Sequence, residues 1–422
     1  MSVKADGSWR SFRHRNYRIL FGANALSNIG TWAQRIAQDW LVLELTNNSG
    51  TALGLVTALQ FAPVLVFSLH GGAMADRVNK RNALIWTNLG GFVSAMLLGV
   101  LVLFGDVQMW HVYLCALGLG ISSAVDAPIR QSFVGEVVGR KDLGNAVSLN
   151  SANFNAGRLI GPALSGLLIA HFGNGPSFIY NALSYLVVIA ALLAVRERDF
   201  FISEHKETQG NIREGIRYVS ARPDLYVIML VVFFIATFGL NFQIYNALMA
   251  TTVFDKGPAD FGLLGTYIAI GSLSGALISA RMERFRSTLF VIKMSAVFSV
   301  AVGLLSIAPN YFIYSALLPL GGFTALITLI SANSLIQTKS DPAVRGRVVG
   351  LYLLIFMGGT PFGSPLIGLL AESVGARLTI AICSAISLIA TITIWTIYRD
   401  RVEVPESIAV EKVLDTTYED QR

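Results

Sequence analysis

The sequence predicts an all-α membrane protein in which twelve transmembrane helices form two related six-helix halves. Hydrophobic residues make up 54% of the 422-residue chain and charged residues only 14%, with a mean hydropathy of +0.59. Soluble proteins carry about 25% charged residues. The apolar residues gather in runs of about 20, the length that crosses a bilayer as a helix. A pattern of glycines, prolines and small residues from the first half also recurs in the second half.

The apolar runs place the spans in order along the chain. Gly and Pro occur within several runs, and membrane helices tolerate both residues. The first run follows Arg10, Arg13, Arg15 and Arg18 and is much longer than the apolar core of a signal peptide, so we expect it to remain as span one. The runs cover residues 19–45, 50–74, 83–105, 110–133, 144–171, 176–195, 225–253, 261–280, 288–308, 311–336, 348–371 and 377–397.

The positive charges lie almost entirely on one side of these spans. Nearly all of the 32 Lys and Arg residues fall at the N-terminus, in the even-numbered connections or in the C-terminal tail. Lys256 and Arg377 lie on the opposite side. Because cytoplasmic connections are enriched in Lys and Arg, both termini are predicted to be cytoplasmic. The net charge of +6 then reflects topology and not nucleic-acid binding.

A repeat of about half the chain length indicates two related bundles. Both copies end in Gly-Leu-Leu-x-x-x-x-Gly, at Gly173 and Gly375, and a weaker echo at a spacing of 209 links Gly30 with Gly239. In transporters, the binding site lies at the interface of such repeats near the bilayer midplane. Three glycine pairs are each 202 residues apart: Gly157 with Gly359, Gly161 with Gly363 and Gly166 with Gly368.

A charged connection between spans six and seven separates the two bundles. Residues Ile212–Arg222 carry apolar side chains at helical spacing, which fits either a helix on the membrane surface or a solvated linker helix. The predicted division is a first bundle 1–195, a cytoplasmic linker 196–223, a second bundle 224–398 and a polar cytoplasmic tail 399–422.

The connection between spans two and three carries a family motif. It reads Gly72-Ala-Met-Ala-Asp76-Arg77-Val-Asn-Lys80-Arg81 and resembles the loop signature Gly-x-Leu-Ala-Asp-Arg-x-Gly-Arg-Lys of the major facilitator superfamily. The twelve spans and the two-fold repeat fit the same superfamily. The resemblance implies a gate in which Asp76 pairs with Arg77 or caps a neighbouring helix. A topological anchor rich in positive charge is the alternative.

A second motif lies in span five. The stretch containing Gly157, Gly161, Pro162 and Gly166 resembles the antiporter signature Gly-x-x-x-Gly-Pro-x-x-Gly-Gly, with Ser165 in place of one glycine. Within the superfamily this signature marks proton-coupled exporters. Glycines at this spacing also allow close helix packing, and Pro162 bends the helix.

Three further stretches resemble the branch that contains enterobactin exporters and macrolide efflux proteins. These are Asp126–Gln131, Glu214–Tyr218 and Arg345–Arg347. One departure from the superfamily is that span four lacks the mid-membrane Arg of Arg-x-x-x-Gly, since the corresponding stretch is Leu114–Ile121. Proton coupling must therefore rest on other residues.

Ionisable residues inside the spans are the candidates for proton coupling. A charge at the bilayer centre costs at least about 2.5 kcal/mol, so it is a functional candidate by default. Arg35 and Asp39 lie one turn apart on span one, Asp126 lies on span four, and Arg158 lies near the middle of span five. Asp39 is the first candidate and Asp126 the second, with the arginines as partner charges. A permanent Asp–Arg pair that pins helices is the alternative.

The substrate cavity is expected between spans one, four, seven and ten. Aromatic surfaces with few fixed charges suit bulky amphipathic compounds. Membrane aromatics can equally face lipid or neighbouring helices. The candidate lining residues are Asn24, Asn28, Trp32, Gln38, Phe234, Phe238, Asn241, Gln243 and Asn333.

Taken with the resemblance, these features predict a proton-exchanging exporter of hydrophobic or amphipathic small molecules in a bacterial cytoplasmic membrane, working as a monomer without a cofactor. Siderophore or metabolite export is the alternative within transport, and a receptor or scaffold that does not transport is the alternative of another class. The two cysteines, Cys115 and Cys383, both lie within spans and give no support for a disulfide framework or metal site.

The predicted topology can be tested by cysteine labelling. In a background without Cys115 and Cys383, a cysteine at Asn48 should react with an impermeant thiol reagent added to intact cells. A cysteine at Asn79 should not react, because the connection after span two is predicted to be cytoplasmic. Labelling at position 79 would reverse the proposed orientation.

Overall fold

The computed structural model describes residues 9–201, 212–282, 286–342 and 344–402, with residues 68–77, 212, 280 and 401–402 described by their backbone only. A short 3₁₀ helix, Arg10–Arg13, precedes the spans. The first half contains five long helices, which are α1 (Arg15–Thr46), α2 (Gly50–Arg77), α3 (Lys80–Phe104), α4 (Met109–Phe172) and α5 (Gly175–Ala194).

Helix α4 contains two spans, because its backbone is interrupted at Gly139. This residue has φ 72°, ψ 168°, and the Phe201 ring lies directly against the position that a Cβ would take. A left-handed φ together with a close ring favours glycine at this point. Spans four and five therefore lie on either side of Gly139, and α5 is span six.

The second half is also helical, but two of its spans are broken. The linker helix α6 (Ile212–Ser220) precedes it. Span seven contains two π-helical segments, Ile235–Gly239 and Met249–Val253. The helices of this half are α7 (Pro223–Phe234), α8 (Phe242–Leu248), α9 (Pro258–Arg281), α10 (Thr288–Ser306), α11 (Tyr311–Lys339), α12 (Arg345–Gly358), α13 (Thr360–Val374) and α14 (Ala376–Val402).

These helices confirm the predicted all-α fold of two six-helix bundles within the described part of the chain. Spans seven and eleven are built from α7–α8 and α12–α13, and spans eight, nine, ten and twelve are α9, α10, α11 and α14. Within the described ranges, ten segments are apolar and long enough to cross a membrane. One of these segments, α4, contains spans four and five. Span one, which is α1, is not among the ten because it carries more polar residues than the other spans.

The glycines of the repeat occupy equivalent places in the two bundles. Gly157 and Gly161 of span five pack against span one, whereas Gly359 and Gly363 of span eleven pack against Thr237 of span seven. Since a Cβ at any of these positions would meet neighbouring atoms, the repeat is a packing device. The weaker echo is different. Gly30 packs against span six, but Gly239 packs against Phe298 of span nine, so this pair is not structurally equivalent.

The halves meet closely on one side of the membrane, which we call the Glu372 side. A Cβ on Gly166 of span five would lie 2.7 Å from the Pro258 carbonyl oxygen and 3.1 Å from the Gly262 Cα in span eight. On the equivalent pair of spans, Gly368 of span eleven packs against Gly50 of span two. Backbone-to-backbone contact of this kind is possible only between small residues.

The same side carries the hydrogen bonds that join the halves. Glu372 accepts from Thr51 N at 3.0 Å, Thr51 Oγ1 at 2.6 Å and Ser49 Oγ. A carboxylate is well placed there, because Thr51 lies in the first turn of span two, at the positive end of its helix dipole. One further bond, Thr266 Oγ1 to the Leu159 carbonyl at 3.0 Å, lies deeper.

On the opposite side, which we call the Lys80 side, polar contacts between described residues stay within one half. Lys80 bonds Glu136 at 2.7 Å. The linker helix docks on the second half through an ion pair of Glu214 with Arg347, and Val219 is buried there. Two stretches singled out in the sequence thus contact each other.

Glycine packing between spans five and eight can be tested by adding one methyl group. Gly262→Ala should lower the free energy of unfolding by about 1–3 kcal/mol, because its Cβ would meet the Pro162 carbonyl and the Gly166 Cα. Thermal unfolding of the purified protein measures the effect. Gly22→Ala is the matched control, since nothing lies within 4 Å of its Cβ position. Equal stabilities for both variants would contradict the close contact.

Candidate functional site

One face of span one carries the centre of the candidate site. Trp32, Arg35 and Asp39 are spaced by three and four residues, so they share a helix face. The orientation of this face is fixed by span five, because Gly157 packs against Asn28 and Gly161 against Trp32. The glycines of the antiporter motif therefore form the surface against which span one packs.

Two arginines stand over the same tryptophan ring. The Arg35 Cζ lies 4.9 Å and the Arg158 Cζ 5.7 Å from the centre of the Trp32 ring. Cation–π contacts at these distances stabilise a guanidinium by about 0.5–2 kcal/mol. Within the described residues, neither arginine has a carboxylate within 4.0 Å. All three side chains are half-buried.

Two aromatic residues that the sequence did not single out complete this cluster. Phe61 of span two lies 5.6 Å from the Arg35 Cζ, and Phe154 of span five lies edge-on to Trp32 at 5.7 Å. Phe154 precedes Arg158 by one helical turn, which is the only sequence signal for it. Phe61 carries no such signal. The cluster therefore draws on spans one, two and five inside the first bundle.

Asp39 is fully buried where the two halves meet. Neither carboxyl oxygen has a hydrogen bond of ordinary geometry, and Arg35 is outside ion-pair distance. The side-chain amide of Gln243, from span seven of the other half, is the nearest polar neighbour, and its Nε2 is also buried without a partner. A carboxylate buried in this way is costly when ionised.

The break in span seven accounts for the position of Gln243. The π-helical turn Ile235–Gly239 ends at Leu240, and Asn241 leaves helical geometry before α8 begins. Asn241 Nδ2 donates to the Thr237 carbonyl at 2.7 Å, while its Oδ1 accepts from Ser364 Oγ at 3.0 Å. π-Helical turns often occur at functional sites.

Asp126 lies in a different environment, because every side of its carboxylate is bonded. Its Oδ1 accepts from Thr87 at 2.8 Å, from Asn88 at 3.2 Å and from Arg130 Nη2 at 2.8 Å, while its Oδ2 accepts from Arg130 Nε at 2.6 Å. Arg130 also donates to Asn24 of span one at 2.5 Å. The group ties spans one, three and four together.

The loop motif is only partly visible. Gly72, Asp76 and Arg77 lie outside the residues whose side chains the structure describes. Lys80 pairs with Glu136, and Arg81 donates to the Leu192 carbonyl at 2.6 Å and to Glu197 at 2.5 Å. The described part of the motif therefore clamps span three to spans four and six of its own half.

The predicted cavity residues fall into three groups. Asn28 and Trp32 are half-buried at the Trp32 cluster, and Gln243 is half-buried beside Asp39. Gln38 and Asn241 are buried in helix packing, so they do not line an open surface.

The remaining four lie elsewhere along their helices, and one of them, Asn24, accepts a hydrogen bond from Arg130. Phe234 and Phe238 stack on each other, with ring centres 6.4 Å apart. Asn333 accepts from Gln337 at 3.1 Å on its own helix. Nowhere in the described ranges do three His, Cys, Asp or Glu side chains come together as metal ligands.

Comparison with known proteins identifies the class. The family model described as transmembrane secretion effector matches residues 6–419, so the chain belongs to this family of major facilitator transporters. It is similar to the staphyloferrin A transporter of Staphylococcus aureus, with 24% identity over 90% of this chain and 96% of that protein. It is also similar to the multidrug efflux pump Tap of Mycolicibacterium fortuitum, with 28% identity over 86% and 90%.

Other similarities agree on the fold. The enterobactin exporter EntS of Shigella boydii is 22% identical over 87% of this chain and 86% of that protein. A bacterial homologue of the human lysosomal transporter Spinster, solved in an inward-facing, unoccupied conformation, superposes with a TM-score of 0.75 at 15% identity, covering 91% of this chain and 97% of that one. The chain is thus a multi-pass transporter of the cytoplasmic membrane and not an enzyme.

The bonding of Asp126 leads to a stability prediction. Asp126→Asn should lower the free energy of unfolding by about 2 kcal/mol, because it weakens charge-assisted bonds to Arg130. The double variant with Arg130→Gln should cost less than the sum of the two single changes, since no charge is left without its partner. Asp106→Asn, an exposed loop change, is the control. Additive costs in thermal unfolding would contradict the coupling.

Proposed function

We propose that this protein exports hydrophobic or amphipathic small molecules of the drug type by alternating access in exchange for protons. The observation that carries the proposal is Asp39, a carboxyl buried between the halves with no fixed partner. Relatives named as a siderophore transporter, a siderophore exporter and a drug efflux pump support the substrate classes.

The proton step follows from two opposing effects on Asp39. Burial favours the neutral, protonated carboxyl. The positive charge of Arg35 favours the ionised form. In the closed arrangement the proton is retained. When the halves move apart at span seven, water reaches Asp39 and Arg35 favours release. Asp126 is left out of this cycle, because Arg130 already neutralises it.

Alternating access requires the bundles 1–195 and 224–398 to rock as units joined by the linker 196–223. With the termini and the tail 399–422 in the cytoplasm, the Glu372 side is external and the Lys80 side is cytoplasmic. The Glu372 contacts then form the outer gate. The loop with Gly72, Asp76 and Arg77 acts at the inner gate. One chain contains the whole site, so the transporter works as a monomer.

The surface for substrate lies around Trp32. Asn28, Phe61 and Phe154 lie around it and offer aromatic and amide groups, which suit an amphipathic molecule. Phe238 offers a further aromatic surface on span seven.

Export of a siderophore or another acidic metabolite is the second candidate. Arg35 and Arg158 favour it, because an acidic group on the molecule could pair with guanidinium groups that lack a carboxylate partner. Growth of a deletion strain under iron limitation, compared with growth in macrolides and dyes, separates the two candidates.

Asp39→Asn tests the proton step. In right-side-out vesicles with acid outside, the variant should lose uphill efflux of whichever screened compound the wild type exports. Exchange between two equal compartments should persist, because binding does not need the proton. Asp106→Asn should behave as wild type. If Asp39→Asn concentrates the compound at the wild-type rate, Asp39 is structural. If Asp126→Asn alone loses uphill efflux, the proton site has been placed on the wrong carboxylate.

A further inference from the structure

A cavity of about 440 Å³ opens on the Lys80 side of the first bundle, away from the Trp32 cluster. Its walls come from the segment before span one, the Gly139 hinge and the segment after span six. Volumes of this size are typical of small-ligand sites. The residues that matter are Arg13, His14, Arg15, Arg198, Asp199 and Phe201.

Positive charge dominates this cavity. Three arginines face a single carboxylate, Asp199. The pair of Arg198 with Asp199 is weak, since its atoms are 3.8 Å apart and both side chains are exposed. Arg15 donates one hydrogen bond, from Nη1 to the Ala194 carbonyl at 3.2 Å, and its other N–H groups are available to a ligand. Arg13 has no carboxylate within 4.0 Å among the described residues.

The walls are braced, so the cavity is a formed site. His14 bonds Asp142 at 2.8 Å, and its ring meets Phe201 edge-on at 5.6 Å. Phe201 N donates to the Glu136 carbonyl at 2.7 Å, which holds the ring over Gly139. The cationic side chains are therefore presented from a surface whose backbone is already fixed.

The position of the cavity points to lipid. It lies where span one begins and span six ends, at the level of the membrane surface. Phe201 lines it with an exposed ring, and aromatic residues concentrate at this interface. Basic pockets between transmembrane helices bind anionic lipid headgroups, and arginine forks fit phosphate oxygens.

We propose that this cavity binds the phosphate of an anionic phospholipid through Arg13, Arg15 and Arg198. The bound lipid contacts three segments that hydrogen bonds already connect, namely the start of span one, the hinge between spans four and five and the exit from span six. It adds charge-assisted contacts to the Lys80 side of this bundle. The site is separate from transport chemistry and does not depend on the proposed substrate or proton.

Lipid retention tests the site. The purified full-length protein is delipidated, mixed with phosphatidylglycerol or phosphatidylcholine, and the bound lipids are counted by native mass spectrometry. Phosphatidylglycerol should be retained over phosphatidylcholine. Arg13→Gln with Arg198→Gln should weaken that retention by roughly tenfold or more. Lys141→Gln with Arg217→Gln, which removes the same charge from the same side outside the cavity, should leave it unchanged.

Several outcomes would overturn the proposal. These are equal retention of both lipids, an unchanged affinity in the Arg13/Arg198 variant, or an equal loss in the control variant. If glycerol 3-phosphate displaced phosphatidylglycerol and bound with the same affinity, the site would be one for a soluble phosphate and not for a lipid. The single variant Arg198→Gln shows whether a loss of binding comes from misfolding. It should fold normally, because Arg198 makes only the weak contact with Asp199, and it should still reduce phosphatidylglycerol binding severalfold.

Discussion

Everything in this transporter depends on how closely four helices approach across the middle of the molecule. Gly166 meets Gly262, and Gly368 meets Gly50, with main chain against main chain. No larger side chain fits between them, so the separation of the halves on this side is set by backbone atoms. Dispersion contacts of this kind are lost abruptly with distance, which makes the closed side either fully formed or open.

The two bundles share this packing but differ in chemistry. In the first bundle, spans one and five hold Arg35 and Arg158 over Trp32, span one brings Asp39 to the boundary with the other half, and a fully bonded Asp126 fixes three spans. The second bundle contributes an interrupted span seven, whose amide Gln243 faces Asp39. Asp39 of the first bundle thus has its polar neighbour on the irregular span seven of the second bundle.

Much of this architecture was predictable from the sequence, because the helices and the 202-residue repeat follow from hydropathy and spacing. The burial of Asp39 was predictable because it lies within an apolar span. The bonding of Asp126 was not, since Thr87 and Asn88 come from another helix and no local pattern specifies which faces of two helices meet. The contact of Phe61 with the Trp32 cluster was unpredictable for the same reason, because Phe61 comes from span two. The similarity of the sequences at Gly30 and Gly239 did not predict equivalent positions, because the π-helical turns change the helical register of span seven.

The contacts of Glu372 have a consequence for the environment in which the transporter can work. Its partners are the hydroxyls of Ser49 and Thr51 and a main-chain N–H at the start of span two, and no lysine or arginine takes part. Dissolved salt weakens attraction between exposed opposite charges, but it acts far less on hydrogen bonds from neutral donors. The contact between the halves at Glu372 therefore depends little on the salt concentration, whereas a contact made of exposed ion pairs would weaken as salinity rises.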